Sequence, residues 1–191
     1  MVTSPSALII RRSVREYDLH GKTLTELVSE RRAMAARGDA PETIGRTIWA
    51  VTLNTLPHGG VKTSCAPDGM TATLTLTTVL PRAISSKEFT GDDLEQWQAF
   101  LPALARHEAR HDSVIVAETS AFLRRVTTEK RATIATRSVA KCVDELTAQI
   151  SRASEKLDEA TQNGRTDGAV LTVRMKTAGS PKDGEAGEHR H

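Results

Sequence analysis

Aromatic residues are scarce in this chain of 191 residues, where they make up only 3% of the sequence. The hydrophobic fraction is also modest, at 38%, so any core has to be built mainly from Leu, Val, Ile and Ala. A chain of this length is nevertheless long enough to bury one such core. We therefore expect a single domain with extensions at its ends.

A surplus of charge of one sign is missing as well. The chain has 26 Lys and Arg against 24 Asp and Glu, a formal net charge of +2. No dense basic block carries interleaved aromatic residues, which argues against a nucleic-acid partner. No apolar run approaches the roughly 20 residues that span a bilayer, so we expect no membrane span.

The start of the chain lacks the features of a signal peptide. Residues 1–6 contain no basic residue, and the apolar run that follows over residues 7–10 is too short for an h-region. The protein is therefore expected either to remain inside the cell or to have lost a signal before residue 1.

Cysteine is limited to Cys65 and Cys142. Neither belongs to a CxxC or another zinc-ribbon spacing, which argues against a structural thiolate site. From the residues alone they are either two buried thiols or one disulfide. A disulfide would indicate an oxidising compartment such as the periplasm.

The strongest chemical signal that is present is His107-Glu108-Ala109-Arg110-His111, an HExxH motif. Two imidazoles four residues apart lie on the same side of a helix, which is the spacing of two ligands to one Zn²⁺. Glu108 lies beside them and can act as general base toward a zinc-activated water, as in metalloproteases. The motif predicts a zinc-dependent hydrolase.

The motif also falls on the apolar stripe of the helix that carries it. The apolar members of that stripe recur at steps of three and four residues, and they are Trp97, Leu101, Leu104, Val114 or Ile115, and Phe122. Histidines and a carboxylate on a buried stripe are costly unless something binds them, so a metal ion is the economical partner. The alternative is a solvated helix face that carries the motif by chance.

A catalytic zinc ion normally has three protein ligands, and the motif supplies two. The metzincin continuation, with a Gly and a third His, does not follow His111. Glu118 lies ~10 Å farther along the helix axis, too far to share the ion. The candidates by residue type are His20, His58, Asp158, Asn163 and Asp167, and their spacing does not rank them.

The predicted elements give an α+β fold, an antiparallel sheet packed against two long antiparallel helices, the first carrying HExxH. Strands are expected over residues 13–19, 45–56, 61–66 and 70–80, of which the last three form an antiparallel meander, with Pro81 ending the sheet region and a late strand over 169–175. Helices are expected over residues 23–36, 92–129 and 132–162. Thr23 and Gly38 are expected to cap the first helix, and Pro102 to kink or break the second.

These elements predict three parts of the chain. Residues 1–12 are expected to be an N-terminal extension, and residues 13–176 a single zincin-like metalloprotease domain. Residues 177–191, rich in Gly, Ser, Pro, Asp and Glu, are expected to be a disordered tail.

Several segments occur in a recognisable order along the chain. They are residues 17–21, residues 45–47 with Trp49, Cys65, the Thr-rich strand ending at Leu80 and Pro81, Trp97, the HExxH motif, Cys142 and residues 157–164. In this order they resemble a bacterial family of predicted secreted zinc-dependent proteases, over about residues 14–171. The resemblance implies an α+β fold, a peptide or protein substrate, export to the periplasm or beyond, and a disulfide between Cys65 and Cys142.

The resemblance also implies a position for the third zinc ligand. The family pattern Asp-x-x-Thr-x-His-Gly aligns with Asp158, Thr161 and Gly164, but Asn163 stands where the pattern has its His. An amide oxygen is a weaker zinc ligand than an imidazole, so Asn163 is expected to bind weakly, with Asp158 or Asp167 as substitutes. We therefore expect a zinc peptidase. The alternative is a catalytically impaired member that serves as an exported binding or structural module.

Overall fold

The structure is a computed structural model that describes residues 7–54, 65, 70–128 and 137–172. Within these ranges the fold is mixed α+β, as expected, with three strands and three α-helices. In chain order they are β1 (Ala7–Leu19), α1 (Leu24–Arg37), β2 (Arg46–Asn54), β3 (Thr71–Ala83), α2 (Asp92–Thr128) and α3 (Val139–Thr161). Two short 3₁₀ turns cover Ser86–Glu88 and Arg165–Asp167. No helix in the described part of the chain is long and apolar enough to cross a membrane.

The sheet has the strand order β1-β3-β2. β2 is antiparallel to β3, but β1 is parallel to it, with Ala7 opposite Thr71 and Leu19 opposite Ala83. The prediction of an antiparallel sheet is therefore wrong for β1. Parallel neighbours need a crossover connection, and α1 with β2 provides it. The chain thus inserts β3 between two strands that precede it in the sequence.

Two strand boundaries also differ from the prediction. β1 begins at Ala7 and not at residue 13, because residues 7–12 pair in register with residues 71–76 of β3. β3 does not end at Pro81 but continues to Ala83. The pairing with β2 ends at Val79, so Pro81 lies where β3 has β1 alone as its neighbour, the kind of edge position that tolerates a missing N–H.

Two further predicted strands do not appear as expected. The predicted strand over residues 61–66 lies outside the described residues except for Cys65, which is not in a strand. The predicted late strand is wrong for residues 169–172, which have no regular structure, and residues 173–175 lie outside the described ranges.

The helix ends follow local capping signals. α1 has Thr23 as its N-cap, whose hydroxyl accepts from the Glu26 N–H at 3.2 Å, and Gly38 as its C-cap at φ 79°. α3 begins after Ser138, whose hydroxyl accepts from the Lys141 N–H. Residues 131–136, where the second long helix was predicted to start, lie outside the described residues.

α2 runs for 37 residues and contains Pro102 without ending there, so the predicted break is wrong. Tertiary packing offsets the hydrogen bond that a proline removes, because buried side chains anchor the helix on both sides of Pro102. These include Phe100 before it and Leu104 after it, both in the same hydrophobic cluster.

The buried residues form two clusters at different ends of α2. The first, which we call the disulfide cluster, joins the sheet to α2 and α3 and includes Leu74, Ile115, Phe122, Leu146 and the two cysteines. The second, which we call the α1 cluster, includes Leu19, Leu24, Leu27, Trp97, Phe100 and Leu104. The HExxH residues lie between Leu104 and Ile115, so the motif occupies the stretch of α2 where one cluster gives way to the other.

The disulfide between Cys65 and Cys142 is present, as the family resemblance implies, and both residues are fully buried. It links a residue of the β2–β3 connection to the first turns of α3, 77 residues later in the chain. Such a bridge is compatible with an extracellular or periplasmic location.

Removing this bridge is expected to destabilise the protein. The double variant Cys65→Ala, Cys142→Ala should lose about 2–4 kcal/mol of unfolding free energy, because the unfolded chain regains the freedom of a long loop. Urea unfolding followed by circular dichroism measures it. Wild-type protein with the bridge reduced and alkylated is the control. Equal midpoints for the oxidised protein and the double variant would contradict the prediction.

Candidate metal centre

The two histidines of the motif meet one carboxylate of α3. His107 and His111 lie one turn apart on α2, and their Nε2 atoms are 3.3 Å from each other. Asp158, in the last turn of α3, places Oδ1 3.0 Å from Nε2 of His111 and 3.3 Å from Nε2 of His107. The three atoms form a nearly equilateral triangle and make up a group able to hold a metal ion.

The size of this triangle fits a zinc ion. Zn²⁺ binds imidazole nitrogen and carboxylate oxygen at about 2.0–2.1 Å in a tetrahedron, whose ligand atoms are then about 3.3 Å apart. The observed edges of 3.0–3.3 Å are close to that value. Three protein ligands also leave one tetrahedral position open, which is the arrangement of catalytic rather than structural zinc sites.

Hydrogen bonds alone do not account for the triangle as well as a cation does. Nδ1 of His107 lies 3.0 Å from Oδ2 of Asp167, and a carboxylate only accepts, so a neutral His107 ring carries its proton on Nδ1. The Nε2 lone pair of His107 then faces the oxygen lone pairs of Asp158. A positive ion between them would remove this repulsion.

The metal group is buried on its helix side and open on the other. His107, Glu108 and His111 are all buried, whereas 38% of the Asp158 side chain is exposed. A cleft of about 360 Å³ reaches the group, and residues of β2, α2 and α3 line it. The three donor atoms are therefore shielded by the protein interior on one side and accessible through the cleft on the other.

Glu108 also lines this cleft. It contacts Thr47 of β2 and lies close to Gly45, the residue before β2. The Thr47 hydroxyl donates to Oε2 of Glu108 at 2.8 Å. A Cβ at position 45 would lie 2.9 Å from Oε1 of Glu108 and 2.8 Å from a methyl carbon of Leu104, so a larger residue there would displace one or both of these side chains. Burial raises the pKa of Glu108 above its usual value, and the hydrogen bond from Thr47 and the two histidines oppose that rise.

Asp167 contacts the opposite edge of the His107 ring. Its Oδ2 is 3.0 Å from Nδ1 of His107, and its Oδ1 is 2.6 Å from Nη1 of Arg110. The hydrogen bond with His107, reinforced by the charge of Arg110, lowers the pKa of Asp167 below its usual value. Asp167, one of the substitute third ligands in the sequence prediction, thus meets the nitrogen that points away from the triangle.

A left-handed turn after α3 brings the carboxylate of Asp167 back to α2. Gln162, Asn163 and Gly164 have φ values of 51°, 54° and 82° in succession, and Gln162 is the C-cap of α3. A Cβ on Gly164 would lie 3.0 Å from Cγ of His107, so the turn packs its backbone on the ring.

The other third-ligand candidates are placed as follows. Asn163 lines the same cleft, but the atom that meets both imidazoles belongs to Asp158. His20 lies at the end of β1, where its Nδ1 is 3.0 Å from Oε1 of Glu30. His58 lies outside the described residues.

Sequence reasoning missed the residues that position others. It assigned no role to Thr47, Gly45 or Arg110, whose importance depends on contacts between segments far apart in the chain. One signal was available, because residues 45–47 form one of the blocks that carry the family resemblance.

Comparison with known proteins places the chain in one family. The family described as "Bacterial protein of unknown function (DUF922)" matches residues 14–165. No curated protein and no solved structure matches the chain. The matched range includes the two histidines, Glu108 and Asp158, and the description names neither an activity nor a metal. The chain therefore belongs to DUF922, a bacterial family of unknown function.

Proposed function

We propose that this protein is a zinc-dependent peptidase in which His107, His111 and Asp158 hold the ion and Glu108 is the general base. The observation that carries the proposal is the triangle of two Nε2 atoms and one Oδ1 atom with edges of 3.0–3.3 Å. It supports zinc because it has the donor types, size and open position of a catalytic zinc site.

A bound zinc ion would supply a polarised substrate carbonyl and an acidified water molecule. The protein's own contribution is the handling of protons. Glu108 accepts a proton as water adds to the carbonyl carbon, and it returns that proton to the departing amine nitrogen when the C–N bond breaks. The Thr47 hydroxyl orients this carboxylate through its hydrogen bond to Oε2, and the missing side chain of Gly45 leaves room for Oε1.

The sheet supports a peptide as the substrate. β2 pairs with β3 on one side, and none of the described strands pairs with its other edge. The start of β2 lines the cleft, with Arg46, Thr47 and Trp49 among its lining residues. An extended peptide can add its main chain to such an edge by backbone hydrogen bonds, which would lay a peptide bond across the cleft.

A second candidate function is an exported binding or structural module without turnover. Asn163, which replaces the His of the family pattern, favours this candidate because an amide oxygen contributes little to zinc binding. In either case we propose export to the periplasm or beyond, because a buried disulfide is maintained in an oxidising compartment.

Metal content and hydrolysis, measured together, test the proposal. Protein purified without a His-tag should contain about one equivalent of zinc by elemental analysis and cleave casein or a peptide library. A chelator should abolish cleavage and lower the thermal midpoint, and added zinc should restore both. Stoichiometric zinc without cleavage would support the module instead. Less than a tenth of an equivalent, with no chelator effect on stability, would overturn the metal site itself.

A further inference from the structure

We propose that Asp167, held by Arg110, is a positioning residue that fixes the tautomer and orientation of His107. The inference rests on the proposed zinc site and adds to it two residues that touch neither the ion nor a substrate. Its basis is a continuous chain of contacts, from Nη1 of Arg110 to Oδ1 of Asp167 and from Oδ2 of Asp167 to Nδ1 of His107.

The chemistry of the Asp167 carboxylate determines which atom donates the proton in its hydrogen bond with His107. An ionised carboxylate has no proton to donate, so the bond to Nδ1 requires that His107 carry its proton there. The only other ring nitrogen, Nε2, is then left with a lone pair, and it is the one that lies 3.3 Å from both Nε2 of His111 and Oδ1 of Asp158. The hydrogen bond on one nitrogen thus determines that the other can bind a metal.

Arg110 gives the carboxylate a fixed orientation. It is the second variable residue of HExxH, three positions after His107, so it lies on a neighbouring face of the same helix. Its contact with Oδ1 leaves Oδ2 for His107, and 19% of the Asp167 side chain remains exposed. Because Arg110 holds one oxygen of the carboxylate, the other oxygen has a defined position. A carboxylate without such a contact would rotate.

The left-handed turn after α3 provides the third part of the support. Gly164 packs its backbone against the His107 ring, and its N–H donates to the Thr161 hydroxyl at 3.1 Å. The ring therefore has Gly164 close to Cγ and Cδ2, Asp167 at Nδ1 and Asp158 near Nε2. One short stretch of chain, residues 158–167, supplies all three contacts.

Two measurements on Asp167→Asn and Asp167→Ala test the role. The first is ¹⁵N NMR of the imidazole nitrogens in metal-free protein in mildly alkaline buffer, where wild type should show His107 protonated at Nδ1. The second is zinc affinity by competition with a chromophoric chelator. Asp167→Ala should bind zinc about 10–100-fold more weakly and lose the single tautomer. Asp167→Asn should fall between, because its amide oxygen still accepts from Nδ1 without the charge.

Asp144→Asn, at an exposed carboxylate on α3, is the matched control and should leave both readouts unchanged. Wild-type His107 protonated at Nε2 would overturn the proposal, as would zinc affinity of Asp167→Asn and Asp167→Ala within threefold of wild type. Should Asp167→Ala fail to fold, Asp167→Asn and Arg110→Gln carry the same test. Should wild type bind no zinc, the proposed function fails while the NMR measurement still decides the tautomer.

Discussion

Glu108→Gln is expected to lower kcat for peptide hydrolysis by about 10²–10⁴-fold and to leave zinc content at one equivalent. The amide has nearly the shape of the carboxylate and can still accept the hydrogen bond from Thr47, so the fold should not change. The glutamine amide has no lone pair basic enough to take a proton from water. Because Glu108 is not a corner of the ligand triangle, metal binding does not depend on it.

Initial rates on a fluorogenic peptide and elemental analysis of the same sample measure this result. The control is Glu95→Gln, at an exposed carboxylate near the start of the same helix, which should keep the wild-type rate. A Glu108→Gln protein that retained more than a tenth of wild-type kcat would remove Glu108 from the role of general base.

Asp158→Ala should weaken zinc binding by about 100–1,000-fold, whereas Asn163→Gly should change it by less than about threefold. A protein zinc site is worth about 10–16 kcal/mol in all, so one ligand of a few accounts for roughly 3–4 kcal/mol. Asp158 supplies the third corner of the triangle, the oxygen that lies within 3.3 Å of the Nε2 atoms of both histidines. Glycine is chosen at position 163 because the backbone there has φ 54°, which glycine adopts without strain.

Equilibrium competition with a chromophoric chelator gives both affinities under one set of conditions. Thermal unfolding of the metal-free variants shows whether either substitution damages the fold itself. If Asn163→Gly loses more affinity than Asp158→Ala, the third ligand is the amide, as the family resemblance implies, and the triangle is not the zinc site.

Local signals in the sequence predicted much of the fold and part of the candidate site. Thr23 and Gly38 end α1 where capping rules place them, since a cap depends on residues within one turn. The same holds for the HExxH spacing, because helix periodicity alone puts two imidazoles side by side. The prediction of the disulfide came from the family resemblance. The presence of two cysteines alone did not decide between a disulfide and two free thiols.

What sequence reasoning missed depends on contacts between distant segments. The sheet was predicted to be antiparallel, which is wrong for β1, because an alternating strand pattern does not determine the direction of the neighbouring strand. The candidates Asp158, Asn163 and Asp167 lie within ten residues of one another, so spacing could not separate them. The left-handed turn at residues 162–164 separates them in space, sending Asp158 and Asp167 to different nitrogens of His107.

The position of the histidines between two hydrophobic clusters has a consequence for how this molecule tolerates change. Polar groups inserted into a close-packed interior usually remove apolar contacts that neighbours cannot replace. Here His107, Glu108 and His111 occupy a boundary, with Leu104 belonging to one cluster and Ile115 to the other. We therefore expect that exchanging these three side chains leaves the two clusters on either side of them assembled.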